Sequence, residues 1–420
     1  MKLSGEKSMR SYSTWEAFRF YREAIDALNR MPETEKSQRE QVELRLLLSI
    51  PMLLLGYPEN SLQILQEGEK HARAAGDERS LSIFYSKLGH YHAIKGNPLL
   101  AIDYTENCFQ QAEKIEDIEL MAPIACELCT SYSIAGKYLK VVDVVPKILS
   151  LLERTQRERD FFGMRYNVYS GLCGYVGYAF TMLGDFEQAR ALCDKGLHFA
   201  LDINQPYGLG WLELCYGNLF HVMGDGRNSI EHYEKSIKYQ EEAQSVFMLG
   251  IAWTALGHGY YLMGEVETAN RYMEKGLRIH KDAGLPYYLS YLFCLHSVVK
   301  FALGDLKTAQ SYVEEALTLS RDKKERHIEG ISEIWLGRIL GKTEPTSPRG
   351  EEHISRGIQI LEELKLRSYQ AQGYLFLGEL YADRGQKEQT LQHLKSAEVM
   401  FQEMGMEYWL AKTQEVIGKV

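Results

Sequence analysis

The sequence predicts an all-α protein built as a solenoid: about nine helix pairs on a period of roughly 40 residues, with one extra helix at either end. Three observations predict it. Glycine recurs at Gly56, Gly96, Gly136, Gly184, Gly224, Gly264, Gly304 and Gly385, at spacings of 40, 40, 48, 40, 40, 40 and 81. Apolar residues at helical spacing lead into each of these glycines and away from it. The chain also holds 35 glycines but only 10 prolines. A glycine inside a helix costs about 1 kcal/mol against alanine, so these glycines need a structural use.

Along the chain, residues 1–10 are polar and charged and are expected to be flexible, and 11–420 to form one continuous solenoid. Segment 15–28 carries Ala17, Tyr21 and Ala24 at the spacing of a second helix with no first helix before it. The repeating unit is clearest around Gly264. Its first segment reads Trp253-x2-Leu256-Gly257-x2-Tyr260, and its second places Ala269, Met273 and Gly276 on one face. Around Gly385 the same frame holds Tyr374, Leu377, Gly378 and Tyr381, then Leu394 and Ala397. Asn97, Asp185, Asp225, Glu265 and Asp305 follow the turn glycines, where they suit a helix start by capping or by charge. Pro206 and Pro286 stand at one shared offset before Gly224 and Gly304, in the expected first turn of a first helix.

Two irregularities interrupt the frame. The excess length before Gly184 falls in the charged stretch 153–160, and 341–350, with Pro345 and Pro348, replaces a tight turn by a long loop. Segment 406–418 reads as a terminal cap helix without a partner. Of the glycines, eight are at turns and six (Gly89, Gly177, Gly217, Gly257, Gly337, Gly378) sit where paired helices touch. Four more (Gly68, Gly196, Gly276, Gly357) occupy the matching place on second helices, and Gly76, Gly284 and Gly405 follow those helices. That assigns 21 of 35.

This frame resembles the tetratricopeptide repeat in a lengthened form, with the closing proline mostly replaced by added length. The resemblance implies the fold and a concave groove lined by first helices. Two stretches, Tyr374 to Asp383 and Ala397 to Ala411, further resemble the C-terminal tetratricopeptide region of bacterial signalling proteins in which an adenylate/guanylate cyclase domain and an AAA-type ATPase precede the array. The segments beginning at Trp15 and Ile331 fit the same impression. That resemblance implies a sensor or scaffold portion whose cyclase or ATPase lies upstream or on a neighbouring chain.

Composition narrows the function classes. The net charge of −9 disfavours bulk nucleic-acid binding. Seven scattered cysteines, a polar N-terminus and no apolar run approaching the roughly 20 residues of a membrane span imply a soluble, cytoplasmic protein without membrane contact. No catalytic constellation, cofactor motif or metal site is expected. Cys126-x2-Cys129 is half a zinc site and reads as core. Gly337-x3-Gly341-Lys342-Thr343 is one residue short of a phosphate loop and leaves a helix instead of opening one. Gly171-x2-Gly174-x2-Gly177 reads as a thinned helix, with Gly174 opening space on the concave side. His90 and His92, two apart on a helix, do not share a face.

By the resemblance, groove positions fall six, three and ten places before each turn glycine. The middle units then present a polar-aromatic strip of Tyr178, Asn218, His221, His258 and Tyr261, an exposed wall suited to a peptide or small ligand. The third series contains no lysine, which argues against chaperone tails as partners. The expected function is non-enzymatic: a protein or peptide partner held in the groove, with possible control of a linked cyclase or ATPase. The alternative is a small-molecule- or peptide-sensing domain like the helical-repeat domain of maltose-type transcription activators.

Overall fold

The structure is a computed structural model that describes every residue except Tyr12, Glu33 and Ile115. Its described residues form 21 α-helices and no strand. Two leading helices, α1 (Lys2–Arg10) and α2 (Thr14–Leu28), precede nine helical hairpins. These are α3 (Glu35–Leu54) with α4 (Ser61–Ala74), α5 (Glu78–Ile94) with α6 (Pro98–Lys114), and α7 (Ile118–Ile134) with α8 (Tyr138–Arg154). There follow α9 (Val168–Leu183) with α10 (Phe186–Asp202), α11 (Pro206–Met223) with α12 (Gly226–Glu242), and α13 (Val246–Leu262) with α14 (Val266–Asp282). The last three are α15 (Leu289–Ala302) with α16 (Leu306–Asp322), α17 (Arg326–Thr343) with α18 (Arg349–Glu363), and α19 (Arg367–Asp383) with α20 (Lys387–Met404). Helix α21 (Glu407–Ile417) ends the array.

All eight turn glycines have positive φ, between 69° and 89°, as a left-handed turn requires. The acidic residues after three of them cap the second helix: Asp185, Asp225 and Asp305 each accept a backbone amide at 3.1 Å. Glu265 makes no such bond. The helix-contact glycines let backbones approach. A Cβ on Gly257 would lie 2.7 Å from the Ala269 carbonyl oxygen, and one on Gly337 2.4 Å from that of Gly350.

Several local expectations change. Residues 2–10, expected flexible, are helical, because Gly5 and Ser8 are buried and Gly5 packs on the Tyr21 ring. Pro286 lies before α15, whose start is delayed to Leu289 by Tyr288 at φ 53°. The stretch 153–160 divides between the end of α8 and an irregular connection. There Arg157 reaches Asp160 and Glu119, and Asn167 holds the Glu158 carbonyl at 2.7 Å. The loop expected at 341–350 shrinks to 344–348, since α17 continues through Gly341 to Thr343.

Left-handed residues also mark the turns between hairpins: Gly76, Glu116, Gln156, Asn204, Gln244, Gly284, Lys324, Lys365 and Gly405. Their register keeps the period of the turn glycines, lengthened between Gln156 and Asn204 by the irregular connection and by a single residue between Lys324 and Lys365. Only three are glycine, so the backbone geometry persists where the sequence signal does not.

The array is a tight superhelix that comes back onto itself. The turn glycines Gly56, Gly96, Gly136, Gly184 and Gly224 face Leu285, Lys323, His327, Met404 and Tyr408 respectively. Those partners lie about five repeats further along the chain, so one superhelical turn sits over the previous one. A Cβ on Gly264, Gly304 or Gly385 would meet nothing within 4 Å. Trp409 in α21 completes the closure by donating its Nε1–H to the Val222 carbonyl at 3.2 Å.

Candidate functional site

Closure buries most of the groove expected to be open. Tyr178, His221 and His258 are buried, while Asn218 and Tyr261 are half-buried. The space expected at Gly174 is occupied: a Cβ there would lie 2.3 Å from Trp211 Nε1. The five strip residues nevertheless stay together. The Tyr233 hydroxyl donates to Asn218 Oδ1 at 3.0 Å and lies 3.4 Å from His221 Nδ1. The His221 and His258 rings are 4.2 Å apart, and His258 and Tyr261 5.0 Å.

The ends of the strip line two spaces. At one end Tyr178 and Asn218 line a narrow, partly open cavity of about 50 Å³. At the other, Tyr261 lines an open cleft of about 530 Å³ that also touches Arg338, Glu379 and Tyr408. Arg338 pairs with Glu379 at 2.9 Å and lies 3.8 Å over the Phe376 ring. The cleft and its continuation beside α20 carry Arg338, Lys342, Lys387, Lys412 and Lys419 against Glu379, Asp383 and Glu415. A locally cationic rim thus opens on a chain of net charge −9.

The cavity is an aromatic chamber. Eight of its sixteen lining residues are aromatic and none is Asp, Glu, Lys, Arg or His. Tyr166 stacks on Tyr207 at 5.2 Å, Phe247 on Tyr287 at 4.9 Å, and Tyr175 leans on Trp211 at 4.8 Å. Tyr207, Phe247 and Tyr287 follow one another at the repeat period, so one register position near the start of three successive first helices supplies a ring each time. Attention to the turn glycines alone passes over this series. The aromatic period was there to be found.

Behind this wall lies a buried polar chain that the sequence did not announce. Lys87 Nζ donates to Glu127 Oε1 at 2.7 Å, His90 Nε2 is 3.3 Å from Glu127 Oε2, and the Tyr57 hydroxyl lies 2.8 Å from His90 Nδ1. Glu127 is 1% exposed. Lys87 and Glu127 are one period apart and so occupy equivalent places on adjacent units. Arg79 with Glu119 repeats that step, and Arg338 with Glu379 comes within one position of it. A repeat period therefore also sets which charges meet.

Burial holds five histidines neutral. It lowers His221 to about 4, His280 and His296 to about 4 and His327 to about 3. His258 is driven well below its ordinary value by burial and then by His221. An unfolded histidine titrates near 6.5, so between about 4 and 6.5 the unfolded chain binds more protons and stability falls with falling pH. Glu325, pushed up to about 7 by burial, works in the opposite sense but is one group against five. Urea midpoints measured at pH 7 and pH 5 are expected to be lower at pH 5. A higher midpoint at pH 5 would contradict neutral burial of these rings.

Among the described residues no group of three or more His, Cys, Asp or Glu is placed to hold a metal ion, and no helix is long and apolar enough to cross a membrane. Cys126 and Cys129 are buried side chains of α7.

No protein-family model and no curated protein matches the sequence. Solved structures do match. The chain is similar to a Rap protein complexed with Competence and Sporulation Factor, at 12% identity over 97% of each chain with a TM-score of 0.51. It is similar to the apo form of the quorum sensor NprR from B. thuringiensis, at 13% identity over 88% of this chain and 99% of that one, TM-score 0.53. It also matches the STAND ATPase with a tetratricopeptide repeat sensor from Pyrococcus horikoshii, at 14% identity over 90% of this chain, TM-score 0.47. The chain spans 55% of that protein's length. At these identities the likeness is one of fold: this is a tetratricopeptide-type α-solenoid.

Proposed function

We propose that the chain is a non-catalytic sensor or scaffold module that receives an extended peptide, or a segment of a partner protein, in the groove of its superhelix. The observation that carries this reading is the series Tyr178, Asn218, His221, His258 and Tyr261, whose ends line an aromatic cavity and an open cleft. Side chains at one register on successive units recognise a ligand that runs along the stack. Rings and amides serve such a ligand at low entropy cost. Two similar folds are a Rap protein complexed with Competence and Sporulation Factor and a quorum sensor, which fits this reading.

The resemblance to cyclase–ATPase signalling proteins supplies the output. Occupancy of the groove fixes the curvature of a stack whose units touch only their neighbours and the next superhelical turn, and a linked or partner cyclase or ATPase reads that curvature. Reading the gene upstream of residue 1 tests the linkage, and scattering with and without ligand tests the curvature. An unchanged shape at saturation removes the curvature mechanism.

Peptides selected from a random display library on the whole chain provide the test of the site. They are expected to lose at least tenfold in affinity on Tyr261→Ala and on His258→Ala, with thermal unfolding monitored in parallel. Retained affinity on both folded variants places the ligand elsewhere.

A further inference from the structure

We propose that the aromatic cavity is a small-ligand site for an uncharged aromatic ring bearing a hydrogen-bond acceptor. The inference rests on the groove being the binding surface, but not on a peptide being what fills it. Three observations choose the ligand class.

The walls present ring faces and edges from several directions, and such surfaces favour another flat ring over an aliphatic group of equal size. No formal charge lines the cavity. The nearest ion pair is already self-contained, Lys87 being held by Glu127. A carboxylate or ammonium entering the cavity would lose its hydration with no counter-charge to replace it, which two neutral donors do not offset. The ligand is therefore neutral.

Two polar groups in the cavity have unused capacity. Ser133, a lining residue that is 2% exposed, has a hydroxyl with no hydrogen-bond partner. Asn218 uses Oδ1 to accept from Tyr233, which leaves its Nδ2 donors for the cavity. A buried hydroxyl without a partner is destabilising, and a ligand acceptor would relieve it. Four rings at the cavity (Tyr175, Tyr207, Trp211 and Tyr288) are only half-buried. Admitting a ring to a space of about 50 Å³ requires one of these half-buried rings to shift, and binding includes that shift.

Ligand-detected saturation-transfer NMR on the full chain tests this with four probes of similar size: benzamide, benzoate, benzylamine and cyclohexanecarboxamide. Benzamide is expected to bind at least tenfold more tightly than either charged probe and severalfold more tightly than the cyclohexane analogue. Ser133→Ala, a change that removes one oxygen, is expected to weaken benzamide severalfold. Ile251→Trp, which fills the cavity, is expected to abolish its signal. Should Ile251→Trp fail to fold, Ser133→Ala alone decides. Equal binding of the charged probes or of the saturated ring, no binding of benzamide, or binding indifferent to Ser133→Ala each overturn the proposal. The peptide reading is scored separately on Tyr261 and His258, so the two can fail independently.

Discussion

Gly224→Ala is expected to destabilise the protein by about 3 kcal/mol and to loosen its superhelix, whereas Gly304→Ala costs only about 1 kcal/mol and leaves the shape unchanged. Both residues are left-handed turn glycines, at φ 89° and 78°, so the backbone cost of adding a Cβ is shared. The difference lies across the superhelix. A Cβ on Gly224 would stand 2.6 Å from Tyr408 Cδ1 and 2.7 Å from its Cβ, so rotating the ring does not clear the clash. One on Gly304 would meet nothing within 4 Å. Relief at Gly224 requires α21 to move, which threatens the bond from Trp409 to the Val222 carbonyl. Urea melts of the two variants and the radius of gyration from scattering check this. Equal losses of stability, with no expansion of Gly224→Ala, would mean that the closing contact carries no free energy.

Glu127→Ala is expected to cost about 3 kcal/mol, most of it from stranding Lys87 rather than from losing an attraction. Lys87 Nζ would keep only the Met164 sulfur, at 3.4 Å, with a side chain that is 12% exposed. His90 offers no replacement charge, because burial lowers its pKa against the pull of Glu127. The double variant Lys87→Met/Glu127→Leu should recover most of the loss, since apolar side chains of similar volume replace a buried pair at little cost. Chemical melts of the two singles and the double form a cycle that isolates the interaction. A loss below about 1 kcal/mol in Glu127→Ala would show that Lys87 reaches water and that the pair is peripheral.

The parts of the fold that were legible are those written locally and repeatedly. Turn glycines, capping aspartates and the helix-contact glycines Gly257 and Gly337 each act within one or two units, and their periodic recurrence makes them visible. Where tertiary packing overrides local preference, the sequence pattern misleads. Residues 2–10 are helical because Tyr21 receives Gly5, and the space at Gly174 is closed by Trp211 from the next unit. Glu116, Gln156, Lys324 and Lys365 adopt the left-handed turn without a glycine to announce it, since packing of the flanking helices holds a conformation that their side chains disfavour.

The candidate site divides along the same line. Tyr178, Asn218, His221, His258 and Tyr261 could be named from register alone, because equivalent places on stacked units face one way. Their burial could not, since it depends on how far each unit rotates against the last. That small angle, summed over about five units, brings His327 onto Gly136 and Tyr408 onto Gly224. By itself the sequence determined the unit and its period, because these rest on neighbours within one repeat length. Only the tertiary structure decided that most of the groove is buried, with a neutral aromatic cavity at one end and an open, cationic cleft at the other. Closure arises from contacts between units a full superhelical turn apart, where the repeat pattern carries no information about which side chains meet.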